Sequence, residues 1–227
     1  MQLSKRLKAI FDMVGKTNVF ADVGTDHAYL PIKLYNEKKV KKVIVSDINK
    51  GPLELAKNNA RENFVFDDFS FRLGSGLVPY EVGEVDVYVI AGMGGHLISD
   101  IIMNSVDKAR SCDYMILQPM SNQKILREIL NRNDFTIISE VVVREDNKYY
   151  QILKVKSGKQ KKLSLYELEL GFNIKNTGEY LDFLNNQKSK YMKIINNRKL
   201  SNKDFDSREF MDLVTNIEIL LGKNNGK

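Results

Sequence analysis

Val19-Phe20-Ala21-Asp22-Val23-Gly24-Thr25-Asp26-His27-Ala28-Tyr29-Leu30-Pro31 joins an apolar run to an acid, a glycine turn and a helix start. A helix-compatible segment runs from Ala28 to Glu37. A second β-rich run, Val43 to Val45, follows and ends in Ser46-Asp47. The unit reads strand, turn, helix, strand, with an acid closing each strand and Asp47 lying 25 residues after Asp22. In a doubly wound sheet both acids come to the carboxyl edge of the strands, where ligands bind. Asp22 can receive a cationic amine beside the glycine turn, and Asp47 can accept hydrogen bonds from a ribose diol.

A dinucleotide is the poorer occupant. Its fingerprint needs three glycines so that backbone can approach a pyrophosphate. Only Gly24 stands here; Asp26 and Ala28 hold the places where further glycines would help, and Asp26 would repel a phosphate. A cofactor with a ribose, an amine and no phosphate fits better, which points to S-adenosylmethionine. On this stretch alone, an ordinary βαβ unit with acids in its turns is the alternative.

Upstream, Leu3, Leu7, Ile10, Phe11 and Val14 fall at helical spacing behind Ser4, a suitable N-cap. This helix is expected across the cofactor edge of the sheet. Downstream, Asn49-Lys50-Gly51-Pro52 opens a helix reaching about Asn63, Phe69 to Leu73 reads as a strand, and Gly74-Ser75-Gly76 follows as a turn. Val85 to Ile90 is nearly continuous in β-formers, as a central parallel strand should be. It runs into Ala91-Gly92-Met93-Gly94-Gly95-His96, whose glycines would let backbone approach a ligand closely. A helix over Leu97 to Lys108, a strand over Tyr114 to Leu117 ending in Gln118-Pro119-Met120, and a helix over Asn122 to Asn131 come next. A hairpin pairs Thr136–Val143 with Lys148–Val155 across Glu145-Asp146-Asn147. Five strands alternating with helices and then a hairpin is an α/β layout, that of a class I (Rossmann-like) methyltransferase sheet with its last strand pair antiparallel to the rest.

The polar run Ser157 to Lys162 marks a boundary between a domain at 1–156 and a helical one at 157–227. In the second, Leu181, Leu184, Tyr191 and Ile195 form one apolar seam, and Phe210, Leu213, Ile217 and Leu220 another. The polar turn Ser201-Asn202-Lys203-Asp204 lies between them, and Lys223 to Lys227 reads as a frayed tail. Such helices pair as an antiparallel, coiled-coil-like hairpin. The formal net charge of +6 is uneven: 22 Lys+Arg against 20 acids to residue 156, and 13 against 9 beyond it. That bias suits a polyanionic partner, with solvated helix faces as the other reading. The single Cys112 excludes an internal disulfide, and His27 and His96 alone make no soft-metal cluster, so no metal is expected. Met1 to Phe11 is amphipathic, with Lys5, Arg6 and Lys8 interspersed, and no apolar run approaches 20 residues, so neither a signal peptide nor a membrane span is expected. A cytoplasmic protein is the default.

With these pieces assembled, the chain resembles the TrmK family, the bacterial tRNA (adenine-N1)-methyltransferases that modify adenine twenty-two in the D arm. The matching runs are Leu3-Ser4-Lys5-Arg6-Leu7, Ala21 to Pro31, Gly51-Pro52-Leu53, Arg72-Leu73-Gly74-Ser75-Gly76-Leu77, Ile90 to Gly95 and Leu117-Gln118-Pro119. The resemblance implies S-adenosylmethionine as cofactor, tRNA as partner and a helical C-terminal domain; no protein partner is evident. It implies cofactor contacts from Asp22, Gly24, Asp26, His27, Asp47, Ile48, Gly74, Ser75, Ala91 and Gly92, and positioning roles for Arg6, Gly92, Met93, Gly94, Gly95 and Pro119. Two positions depart from the family: Ser75 stands where an aspartate usually meets the adenine amino group, and Asp47 where glutamate is common.

The chemistry asks little of acid–base groups. Adenine N1 attacks through an in-plane lone pair with no proton to remove, so the site must align N1, methyl and sulfur and exclude water. Carbonyl oxygens at Gly92 to Gly94 are candidates to face the positive charge that develops on the base. Arg6 is the first candidate to hold the target nucleotide, against an exposed solubilising arginine. His27 either meets the cofactor carboxylate or caps the next helix, His96 either touches substrate or starts a helix, and Tyr149-Tyr150 reads as packing. Methylation of another RNA or a small molecule, and a non-catalytic RNA-binding relative, are the competing functions; a nicotinamide oxidoreductase lacks its glycines.

Overall fold

The computed structural model describes residues 2–175, 177–201 and 204–222. Ser4 caps α1 (Lys5–Met13) by accepting from Leu7 N at 3.3 Å. There follow β1 (Thr17–Val23), α2 (Tyr29–Asn36), β2 (Val40–Asp47), α3 (Lys50–Glu62), β3 (Phe69–Leu73), β4 (Val87–Met93) and α4 (Gly95–Met103). Then come α5 (Val106–Ser111), β5 (Tyr114–Pro119), α6 (Gln123–Arg132), β6 (Phe135–Glu145), β7 (Lys148–Ser157), α7 (Leu165–Leu170), α8 (Gly178–Ser201) and α9 (Arg208–Gly222).

The strands form one seven-stranded sheet in the order β3-β2-β1-β4-β5-β7-β6; β7 alone is antiparallel to its neighbours, so β6, expected with it against the rest, runs parallel to the other strands because β7 lies between it and β5. Period-2 alternation splits the sheet's side chains between two apolar layers. Ala21, Val23, Tyr88, Ile90, Met115 and Leu117 face one layer; Phe20, Val87, Val89 and Ile116 face the other, with α1 and α2. Burial on both faces is why Val87 to Ile90 could read as an unbroken apolar run.

Among the differences from expectation, the strand expected over Val85 to Ile90 runs Val87–Met93 and so takes in part of the glycine run, and three others bear on the site. The helix expected over Leu97 to Lys108 starts earlier, at Gly95, and breaks into α4 and α5, because Ser105 leaves helical geometry at φ −142°, ψ 45°. The hairpin turn is two residues, not three: Glu145 pairs with Lys148, and Asp146 and Asn147 both take positive φ (48° and 59°), as a type I′ turn requires. The helix α1 packs mainly on β6 and β7 and touches α2, so only its first turn, rather than its length, reaches the cofactor edge.

The segment after Lys156 stays on the sheet. Leu163 is buried in the same layer as Leu126 and Leu130, and Leu168 and Phe172 pack against it. Beneath them Arg127 and Glu140, both fully buried, form a two-pronged ion pair at 2.9 and 2.6 Å. Arg127 also donates to Leu168 O at 2.8 Å, and Glu140 accepts from Phe172 N at 2.9 Å. The helices α8 and α9 run antiparallel: Lys188 pairs with Glu218 at 2.7 Å, and Arg198 stacks over Phe205 at 5.1 Å. The seam on α8 is Tyr180, Phe183, Leu184, Tyr191 and Ile195; Leu181, expected in it, is only half-buried. The shift follows from a third surface, because Val142 and Tyr149 of the hairpin pack into the same cluster. Asn202 and Lys203 of the expected turn, and the expected tail at 223–227, lie outside the described residues.

Candidate active site

The carboxyl ends of β1 and β4, the first turn of α2 and the start of α1 enclose a cleft of about 340 Å³, lined among others by Arg6, Asp22, Gly24, His27, Tyr29 and Gly92. The backbone turns sharply after β1. Gly24 N and Thr25 N both donate to Ser46 O, at 2.8 and 3.1 Å. Gly24 has φ +74°, and a Cβ there would lie 2.0 Å from Met93 Cε, so no other residue fits without displacing Met93. Thr25 Oγ1 accepts from Ala28 N at 3.1 Å and so starts α2; His27 is not its cap. Instead the His27 ring stacks on Tyr29, with centroids 5.0 Å apart and planes 8° apart, on the cleft wall.

Asp22 sits at the cleft's floor. Burial pushes its carboxyl up to about 6, a hydrogen bond from Thr25 pulls back, and the charge of Asp47 adds to the rise. Among the described residues it has no cationic partner. A half-buried acid with this burden is suited to a ligand cation. Asp47, one strand over, accepts from Asn49 N at 2.7 Å, and its own carbonyl receives Gly74 N at 2.9 Å. Ile48 beside it is 63% exposed, and Ser75 is exposed at the end of β3.

The structure therefore brings Arg6, Asp22, Gly24, Asp26, His27, Ala91 and Gly92 into one cleft. Asp47, Ile48, Gly74 and Ser75 line the adjoining strand ends outside it. The glycine run divides in an unforeseen way. Gly92, exposed and at φ +80°, faces the cleft, with Arg6 Nη1 3.7 Å from where its Cβ would be. Gly95 is buried because a Cβ would strike Asn122 O at 2.4 Å, and Gly94 takes the N-cap position of α4, so these two serve packing. Met93 packs under Gly24, and Pro119 is buried beside it in the sheet. His96 lies exposed, outside the cleft lining.

Sequence reasoning missed Gln118 and the second tyrosine of the β7 pair. Gln118, fully buried, accepts from Arg6 Nη1 at 2.6 Å and from Gly92 N at 3.2 Å through one oxygen. Tyr149 packs against Phe183 as expected, whereas Tyr150 lies under the Arg6 guanidinium at 5.5 Å. The available signal was an amide closing an otherwise apolar strand, Met115 to Leu117. Past Met120 the cleft adjoins a larger groove, about 710 Å³, whose walls include Tyr150, Lys124, Lys148 and Lys190. No helix among the described residues is long and apolar enough to cross a membrane.

A family model described as a methyltransferase domain matches residues 3–153. The chain is 36% identical over 158 residues to the tRNA (adenine(22)-N(1))-methyltransferase of Bacillus subtilis (strain 168), an alignment covering 70% of this chain and 66% of that one, just under two thirds. Among solved structures it is similar to a Streptococcus pneumoniae protein described as a candidate tRNA (m1A22) methyltransferase, in complex with S-adenosyl-L-methionine. That match has 29% identity and a TM-score of 0.83, and covers 97% of this chain and 100% of the other. It is also similar to TrmK of M. capricolum in complex with S-adenosyl-homocysteine, at 28% identity and a TM-score of 0.81, over 98% and 99% of the two chains.

Proposed function

The chain belongs to the TrmK family of tRNA (adenine-N1)-methyltransferases, and from that membership we propose that it transfers the methyl group of S-adenosylmethionine to N1 of adenine 22 in the D arm of tRNA. The observation that carries the reading is Asp22, a half-buried carboxylate without a cationic partner among the described residues, set against a glycine turn at the sheet edge.

The residues present fit the cofactor. Asp22 takes the amine of its amino-acid end, Gly24 admits that end to the backbone, and His27 or Asp26 closes over it. Asp47 receives the ribose diol, with Ile48 and the Gly74-Ser75 turn against the adenine. What the cofactor supplies when bound is an electrophilic methyl group on a sulfonium. The protein's part is alignment, worth roughly 7–11 kcal/mol in a well-oriented pair. No general base is needed, since N1 carries a free lone pair. Of the carbonyls considered for the developing charge, Met93 O already accepts from Met120 N at 2.8 Å and Gly94 O from Ile98 N at 3.0 Å. Gly92, which lines the cleft, is the one whose carbonyl we take as the candidate. Arg6, between cleft and groove, holds the target nucleotide.

Adenine N1 lies on the Watson–Crick edge, so the base must leave its stack, at a cost of about a few kcal/mol. The groove beyond Met120, with Lys148 and Lys190, offers the flanking phosphates counter-charges, while Lys124 there is paired with Glu169 at 2.9 Å. Such a substrate places the protein in the cytoplasm. Mass spectrometry of nucleosides from unmodified tRNA incubated with protein and cofactor tests the proposal. N1-methyladenosine mapping to position 22, and lost when that adenine is replaced by guanine, is expected. Methylation at another position or on another base would overturn it.

A further inference from the structure

Arg6 and Gly92 are 86 residues apart and belong to different elements, yet one buried atom joins them. Gln118 Oε1 accepts from Arg6 Nη1 at 2.6 Å and from Gly92 N at 3.2 Å. Its Nε2 donates to Pro119 O at 3.0 Å, which fixes which end of the amide faces the arginine. The Met120 sulfur lies 3.9 Å from Arg6 Nη1 and 3.5 Å from Gln118 Nε2, and Tyr150 stands 5.5 Å under the guanidinium. At the other end of the side chain, Lys5 N donates to Glu145 Oε1 at 2.7 Å, pinning the first turn of α1 to the hairpin that carries Tyr150. Arg6 is thus held at its root, its face and one nitrogen. Among the described residues its Nε and Nη2 have no protein acceptor, so the remaining donors of its fork are left for a ligand.

We propose that Gln118 is a positioning residue for methyl transfer: its buried amide oxygen locks Arg6 over Gly92, so that the arginine meets the target nucleotide with its fork already set. The proposal rests on the reading of Arg6 as the nucleotide's contact. A free arginine would lose rotamer freedom on each encounter, whereas a tethered one has lost it during folding. Because Gly92 N donates to the same oxygen, the tether also ties the arginine's position to the strand end that borders the cofactor cleft. A buried amide is costly unless bonded on both ends; here each end is used, and the use is convergence on the site.

Four full-length variants, Q118M, Q118E, R6A and R6A/Q118M, separate the possibilities when steady-state methylation of tRNA is read beside calorimetric affinity for S-adenosylmethionine. Q118M removes the acceptor and should lower kcat/KM for tRNA by roughly 10- to 100-fold, the scale on which misplacement of about 1 Å acts, with cofactor affinity within about threefold. Q118E keeps both acceptor contacts, charge-assisted toward Arg6, but sets an oxygen against Pro119 O where Nε2 donates, and should fall between Q118M and the parent. R6A should be as impaired as Q118M, and the double variant no worse than R6A alone, because the two residues act as one unit. If Q118M costs as much on the R6A background as on the parent, Gln118 acts independently of Arg6 and the proposal falls. If R6A itself methylates tRNA at the parent rate, the nucleotide reading of Arg6 falls first. Should Q118M not fold, Q118N decides in its place, since a side chain one methylene shorter cannot span to Arg6. Parent-like turnover by Q118N would overturn the tether.

Discussion

Replacing Asp22 with asparagine separates what this carboxylate does for the fold from what it does for the cofactor. Its pKa is raised from an ordinary 3.8 to about 6, chiefly by burial and further by Asp47. At about 1.36 kcal/mol per unit, keeping it ionised above pH 6 burdens the folded protein by about 3 kcal/mol. The direction is fixed by linkage: the folded state binds the proton more tightly than the unfolded chain. The burden is therefore complete above pH 6 and disappears as pH falls from 6 toward 3.8. Asp22→Asn removes the charge but must place an amide where Thr25 now donates, so we expect a gain of about 1–3 kcal/mol at pH 7.5. That is roughly 2–12 °C in Tm for a chain of this size. About half of the gain should remain at pH 5 and little at pH 4. Calorimetry at pH 7.5 should show S-adenosylmethionine bound at least about 30-fold more weakly, the scale for removing one partner of a desolvated ion pair. At one fixed concentration, added cofactor should lift the parent's melting temperature more than the variant's. A variant that melts below the parent at pH 7.5, or binds cofactor as tightly, would refute the reasoning.

Ser75→Asp should bind S-adenosylmethionine as tightly or several-fold tighter, since a carboxylate accepts a stronger hydrogen bond from an adenine amino group; calorimetry showing a clear loss would remove Ser75 from the adenine contact. Arg127→Met leaves Glu140 charged and buried without its partner, and should cost about 3–5 kcal/mol in urea unfolding; a change under about 1 kcal/mol would mean the pair relaxes to water. We further propose that the working division between catalytic and helical parts falls after Lys175. A chain ending at Lys156 should be insoluble, because Leu163 and the carbonyl of Leu168 leave with the tail. A chain ending at Lys175 keeps the partners of Arg127 and Glu140, and should fold, bind cofactor and bind tRNA weakly, with a shallower salt dependence. Soluble, cofactor-binding protein ending at Lys156 would contradict this.

What the amino-acid order settles here is local. Alternation and apolar runs set the strands, Gly24 after Asp22 and Val23 sets the turn, and Asp146-Asn147 sets the hairpin, because each depends on φ/ψ preferences and burial within a few residues. The fold class and the two acids at the sheet edge were legible for that reason. The division of labour among Gly92, Gly94 and Gly95 was not, since it depends on the Ser121-Asn122 backbone packing against the start of α4. Nor was the burial of Arg127 and Glu140 legible. On α6 the arginine reads like its neighbours Lys124 and Arg132, and only the return of residues 163–172 over the sheet removes water from it. Gln118 is the extreme case. Its partners come from α1 and β4, 112 and 26 residues away, and meet only because the β4–β5 register and the docking of α1 bring three chain segments to one point. Local pattern encodes which backbone shape a segment takes and which face it buries; which polar side chains share the resulting interior is fixed only when the elements pack.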